Sequence, residues 1–94
     1  MKECVLKQNK EVVFRQEEEE AILFNPESSE IILINATGCY VWDLMKNGSV
    51  KDEITTMLLG KFKVTPDRIK NDLDAFISDL TKGNFITLMD NRDS

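Results

Sequence analysis

Apolar residues along this chain fall into strand-like runs in the first third and take helical spacing from residue 36, before a last strand-like run at 85–89. Val12, Val13 and Phe14 form a short β-favouring run that ends at Arg15, and Ala21, Ile22, Leu23 and Phe24 form a second. Ile31, Ile32, Leu33 and Ile34 form a third, apolar at every position. A sheet with one wet face needs apolar residues only at alternate positions, so this strand needs cover on its second face, which a partner could supply. Residues 16–20, a glutamine and four glutamates, read as a solvated connection, and the turn formers at 25–29 reverse the chain into the third run. The three runs predict an antiparallel meander in which the strand over 31–34 is an edge, with one row of N–H and C=O groups unpaired.

Helical spacing takes over at Asn35, whose side chain suits the N-cap of a helix running from Ala36 to about Met45. Val41, Trp42, Leu44 and Met45 would be its buried face, and Asn47 and Gly48 its stop. Ser49 is placed to cap a second helix, with Asp52 three residues on as in a capping box. Val50, Ile54, Leu58 and Phe62 recur at i+4, with Met57 widening that stripe toward the core. Thr65, Pro66 and Asp67 open a third helix with a cap, a first-turn proline and an acid facing the helix dipole. Its apolar stripe is Ile69, Leu73, Phe76, Ile77 and Leu80, and residues 82–84 end it. A last short strand is predicted over 85–89, with 90–94 a flexible tail. The order describes one α+β domain over 1–94 with its core at about 9–89. Its type is winged helix-turn-helix-like: a three-stranded antiparallel meander, three helices and a short terminal strand.

Charge and chemistry narrow the function classes. The 94 residues carry 17 acidic against 12 basic side chains and no histidine, a net charge of −5. A DNA-reading helix should line up Arg and Lys, but Arg68, Lys70 and Lys82 share the third helix with Asp67, Asp72, Asp74 and Asp79. That balance argues against nucleic acid, and the overall charge against anionic membrane. No run approaches the ~20 apolar residues of a membrane span, and the N-terminal residues lack a signal peptide's apolar core, so a cytoplasmic location is expected. Without histidine, a glycine-rich phosphate loop or an activated Ser or Cys, the chain offers no catalytic set, no metal site and no cofactor site. Cys39 reads as a small buried thiol in the first helix, Cys4 as lying near a frayed end, and a disulfide between them is not expected in the cytoplasm.

In order, the runs are VVFR at 12–15, AILFNP at 21–26, INATGCYVW at 34–42, GSVKDEI at 48–54, TP at 65–66 and DLDAFISDL at 72–80 before Gly83. This succession, over about residues 9 to 89, resembles the family of the pyrroloquinoline quinone synthesis protein D, PqqD. The resemblance implies a non-catalytic domain that recognises the leader segment of a ribosomally made precursor peptide while a separate enzyme modifies the core segment. In that family the leader adds as a strand to the third strand of the meander and packs on the third helix. Carried over by position, the peptide-binding residues would be Ile31, Ile32, Leu33 and Ile34 on the strand, and Arg68, Asp72, Ala75, Phe76 and Asp79 on the helix.

Within that set Ala75 would leave room for a large leader side chain, and Arg68 with the two acids could set register by charge. Phe76 is ambiguous and reads more simply as core, Asp72 and Asp79 read also as solvated helix acids, and Trp42 as core packing. The run at 35–42 fits the broader PqqD-like group, which leaves the product class open among lasso, thioether-bridged and other modified peptides. It leaves the partner open between a radical SAM enzyme and a leader protease. A small winged-helix adaptor or a transcriptional regulator is the competing reading, and the open strand edge could also pair with a second copy to make a homodimer.

Overall fold

The computed structural model describes residues 4–90 and divides their strands between two small sheets around three helices. In chain order the elements are β1 (Cys4–Gln8), β2 (Val13–Glu17), β3 (Glu20–Asn25), β4 (Glu30–Ile34), α1 (Ala36–Leu44), β5 (Ser49–Val50), α2 (Lys51–Lys61), α3 (Pro66–Lys82) and β6 (Ile86–Asp90). The meander is present, ordered β2-β3-β4 and antiparallel throughout, with Ala21 opposite Ile34 and Leu23 opposite Ile32. Strand β4 is an edge of that sheet, hydrogen-bonded among the described residues to β3 alone.

A second sheet, ordered β5-β1-β6, departs from the expectation of a frayed N-terminal end. Residues 4–8 form its central strand, pairing Leu6 with Leu88 on one side and with Ser49 on the other. Leu6 is buried, Gln8 donates its side-chain amide to the Trp42 carbonyl at 2.7 Å, and Asn9 N–H donates to the Phe85 carbonyl at 2.9 Å. A five-residue strand with one buried leucine carries little signal of its own; partners some 80 residues away make it a strand. Asp90 closes β6, so only 91–94 of the expected tail lie outside the described residues.

The helices begin and end close to expectation, with three local corrections. Asn35 caps α1, its Oδ1 accepting from Gly38 N–H at 2.8 Å, and Thr65 caps α3, its Oγ1 accepting from Arg68 N–H at 3.3 Å. Ser49 does not cap α2, because the helix starts one residue later than that reading requires, at Lys51. Val50 takes the N-cap position, and the Glu53 carboxylate, rather than Asp52, accepts its backbone N–H at 3.3 Å. Met57 does not widen the core stripe of α2; it is 48% exposed, while Ile54 and Leu58 are buried. Gly83 follows α3 with φ −88°, a conformation any residue can adopt. Its requirement for glycine is spatial: a Cβ there would lie 2.3 Å from the Phe85 ring.

One core joins both sheets to the helices. Ala21, Leu23 and Ile34 from the meander meet Val41, Trp42 and Met45 of α1, Ile54 and Leu58 of α2, and Ile69, Leu73 and Leu80 of α3. Leu6, Phe85 and Ile86 close it from the second sheet. Trp42, 5% exposed, is packing, as its place in the sequence suggested.

Candidate functional site

Two linked features of the sequence place a groove beside the free edge of β4. The first is a fully buried asparagine, Asn25, at the end of β3. Its side-chain amide donates to the carbonyls of Gly83 at 3.0 Å and Asn84 at 2.8 Å, and its Oδ1 accepts from Glu27 N–H at 2.9 Å. Ser28 Oγ donates to the same Gly83 carbonyl at 2.9 Å. The β3–β4 turn is thereby fastened to the C-terminal end of α3, so α3 runs back alongside β4. Sequence reasoning treated Asn25 only as a turn former; nothing local distinguishes a buried, fully bonded asparagine from an exposed one.

The second feature is Gly38 in the first turn of α1. It is buried, and a Cβ on it would lie 3.0 Å from the Ile34 Cβ and 3.5 Å from the Phe76 ring. The missing side chain lets α1, β4 and α3 approach one another at the groove floor. A residue that large would have to displace either the strand end or Phe76.

The resulting groove has a volume of about 730 Å³, within the range of sites that take several side chains. Its floor is apolar: Ile32 and Ile34 from β4, Val41 from α1, Leu58 from α2, and Ile69, Leu73 and Phe76 from α3. Leu33 lies on the strand rim, and Arg68, Asp72 and Asp79 line the helix side. Phe62 and Val64, at the turn between α2 and α3, line the end where α3 begins. Arg68 and Asp72 face each other at 3.7 Å with both side chains 74% exposed, so the pair contributes little to stability and remains available to a ligand.

Of the residues singled out from sequence, the structure brings Ile32, Leu33, Ile34, Arg68, Asp72, Phe76 and Asp79 to this groove. Ile31 and Ala75 do not line it. Ile31 is 68% exposed on the opposite face of the sheet from Ile32, and Ala75 is exposed on the flank of α3. Phe76 is half-buried, so it is at once packed against the core and part of the groove wall. Phe62 and Val41 were read only as core positions, and Val64 and Gly38 carried no reading of their own. Their part in the groove depends on how three helices meet, which periodicity within one helix cannot report.

Titratable groups at the groove are its solvated rim. Away from it, Cys39 on α1 is half-buried, and burial, reinforced by the negative charge of Glu20, holds its thiol above the ordinary range. Cys4 is exposed. Among the described residues no group of three or more His, Cys, Asp or Glu side chains converges as a metal site would, and no helix is long and apolar enough to cross a membrane.

The scaffold is thus an α+β domain in which the outer edge of β4 has no strand partner among the described residues and lies beside an apolar groove. The chain belongs to the family of coenzyme PQQ synthesis protein D, PqqD, whose family model matches residues 20–86. No curated protein matches it. Among solved structures it is similar to TbiB1, solved in complex with the TbiA(beta) leader peptide. The TM-score is 0.75 at 21% identity, over 85% of this chain and 93% of the other. It is also similar to a lasso peptide synthetase B1 complexed with its leader peptide, with a TM-score of 0.73 at 16% identity, over 87% and 96% of the two chains. At these identities the likeness is one of fold.

Proposed function

We propose that this chain is a non-catalytic recognition domain that binds the leader segment of a ribosomally made precursor peptide and presents the rest to a separate modifying enzyme. The observation that carries this reading is the coincidence of a free strand edge and an apolar groove along the same line, β4 against α3. A peptide added to β4 gains main-chain hydrogen bonds from the edge, and its inward side chains reach Ile32, Ile34, Leu73 and Phe76. Membership of the PqqD family supports the reading, as do two structural neighbours that were each solved with a leader peptide.

The energetics favour a side-chain-driven complex. Ordering a disordered leader costs ~1–2 kcal/mol per residue, and each backbone hydrogen bond returns only about 0.5–1.5 kcal/mol net. Burial of two or three apolar anchors at ~1.5–3 kcal/mol each supplies the remainder. Affinity in roughly the micromolar range follows. Tethering through the leader then raises the effective concentration of the core segment at the enzyme. The partner enzyme is one that acts on the core or removes the leader, such as a radical SAM enzyme or a leader protease, and the assembly works in the cytoplasm.

The test is a titration of isotope-labelled protein with the leader part of a short precursor encoded beside it, followed by NMR. Shifts concentrated on residues 30–35 and 68–79 are expected. Shifts absent there, or centred on the second sheet, would remove the reading.

A further inference from the structure

The outer face of the meander carries an apolar surface that, apart from Leu33 on the shared strand rim, does not line the groove. Residues opposite one another in an antiparallel ladder share a face. Val13, Phe24 and Ile31 stand in one such row, and Ile22 and Leu33 in the next, beside Arg15. Val13 is 54% exposed, Ile31 68% and Leu33 60%, while Ile22 and Phe24 between them are partly buried. None of these five apolar side chains belongs to the buried core or packs against it.

The charges around this face point to its occupant. The β2–β3 turn places Glu17, Glu18, Glu19 and Glu20 at one end of the sheet, and the β3–β4 turn places Glu27 and Glu30 at the other, all exposed. The only basic residue among them, Arg15, lies 2.6 Å from Glu17 and offsets one of the six carboxylates. An apolar band closed at both ends by carboxylates repels a second copy of itself, and the whole chain carries a net charge of −5. It complements a surface with an apolar centre and Lys or Arg at its margins.

Resting on the leader-binding reading, which requires a second protein to act on the peptide, we infer that this outer face docks the modifying enzyme through an apolar patch rimmed by basic residues. The groove faces the helices and the docking face points away from them, so peptide and enzyme bind on opposite sides of β4 at the same time. The free edge of the strand lies between them, and a leader held there emerges beside the enzyme.

The experiment uses the full chain, the purified peptide-modifying enzyme encoded beside it and the synthetic leader, with both affinities measured by calorimetry at two salt concentrations. Val13→Asp puts a charge in the apolar band, and the Glu19→Lys/Glu27→Lys pair reverses charge at both ends; none of the three positions lines the groove. Each variant is expected to lose tenfold or more in enzyme affinity, and the reversed pair to lose the salt dependence as well, with leader affinity within about twofold of the parent. Should Val13→Asp unfold, the surface charge pair alone decides. Unchanged enzyme affinity in folded variants overturns the inference, as does a parallel loss of leader affinity, or a dimer of the parent chain in sedimentation that Val13→Asp dissolves. Enzyme binding without leader binding by the parent would instead remove the leader reading, and the variants would still report on the face.

Discussion

Replacing Asn25 with alanine tests whether one buried side chain holds the groove to its width. The substitution removes three hydrogen bonds, to the carbonyls of Gly83 and Asn84 and from the N–H of Glu27. Gly83 O retains the Ser28 hydroxyl, and Asn84 O retains the side-chain amide of Asn9 at 2.8 Å, so neither carbonyl is orphaned. Only the Glu27 N–H loses its partner, near enough to the surface for water to reach it. The cost is therefore the net value of the three bonds plus a small cavity, about 2–4 kcal/mol rather than the larger penalty of stranded buried groups. Against a total of about 5–15 kcal/mol for such a domain, this should lower the melting temperature by roughly 10–25 °C. Urea unfolding should show a lower midpoint with an unchanged slope. Asn25→Asp should be worse at neutral pH, since a carboxylate facing two carbonyls can donate to neither. Its folded-state pKa would be raised, so the deficit should shrink below the ordinary carboxyl range and grow as pH rises through the folded value. A loss below about 1 kcal/mol for Asn25→Ala, or an aspartate milder than the alanine at pH 7, would refute the account of this junction.

Further tests address the groove and the thiols. In an antiparallel ladder neighbouring residues point their N–H groups alternately toward and away from the partner strand. Of Ile32→Pro and Leu33→Pro, one should therefore destabilise the β3–β4 pairing, and the other should stay folded yet lose leader binding; normal binding by the folded variant rules out strand addition. Arg68→Glu should weaken an acidic leader and leave a neutral one nearly unchanged in a fluorescence titration, and equal losses for both would eliminate charge as the device that sets register. Gly38→Val should cost about 1–3 kcal/mol through overpacking against Ile34 and Phe76 and should weaken leader binding; wild-type stability would show that the approach of α1 to β4 is not tight. Iodoacetamide at pH 8 should label exposed Cys4 before Cys39. The raised Cys39 pKa adds nothing to stability changes below the ordinary thiol range and should erode stability only as pH rises above it, which alkaline melts of a Cys39→Ala variant can check.

The elements that local chemistry specifies were legible in the chain itself. The caps at Asn35 and Thr65, the first-turn Pro66, and the i+4 stripes through Ile54 and Leu58 and through Ile69, Leu73 and Leu80 each declare a helix within a few residues of its own position. The continuous apolar run at 31–34 likewise announced an edge strand with an uncovered face, and Ile31 and Leu33 are exposed there. What tertiary structure alone decided depends on residues distant in sequence. Strand β1 exists because β6 and β5 flank it, with Leu6 paired to Leu88 on one side and Ser49 on the other. Asn25 is a clamp because α3 ends against it, and Gly83 must be glycine because Phe85 folds back over it. The groove follows the same division. Its strand and much of its helix side were visible as patterns, but its floor is made where α1, α2 and α3 converge on β4. That convergence also left Ala75 on a flank, whereas strand alternation by itself turns Ile31 to the other side of the sheet from Ile32. Hydrogen-bonded periodicity is a property of a short segment, whereas the placement of one face against another is a property of the whole packed core.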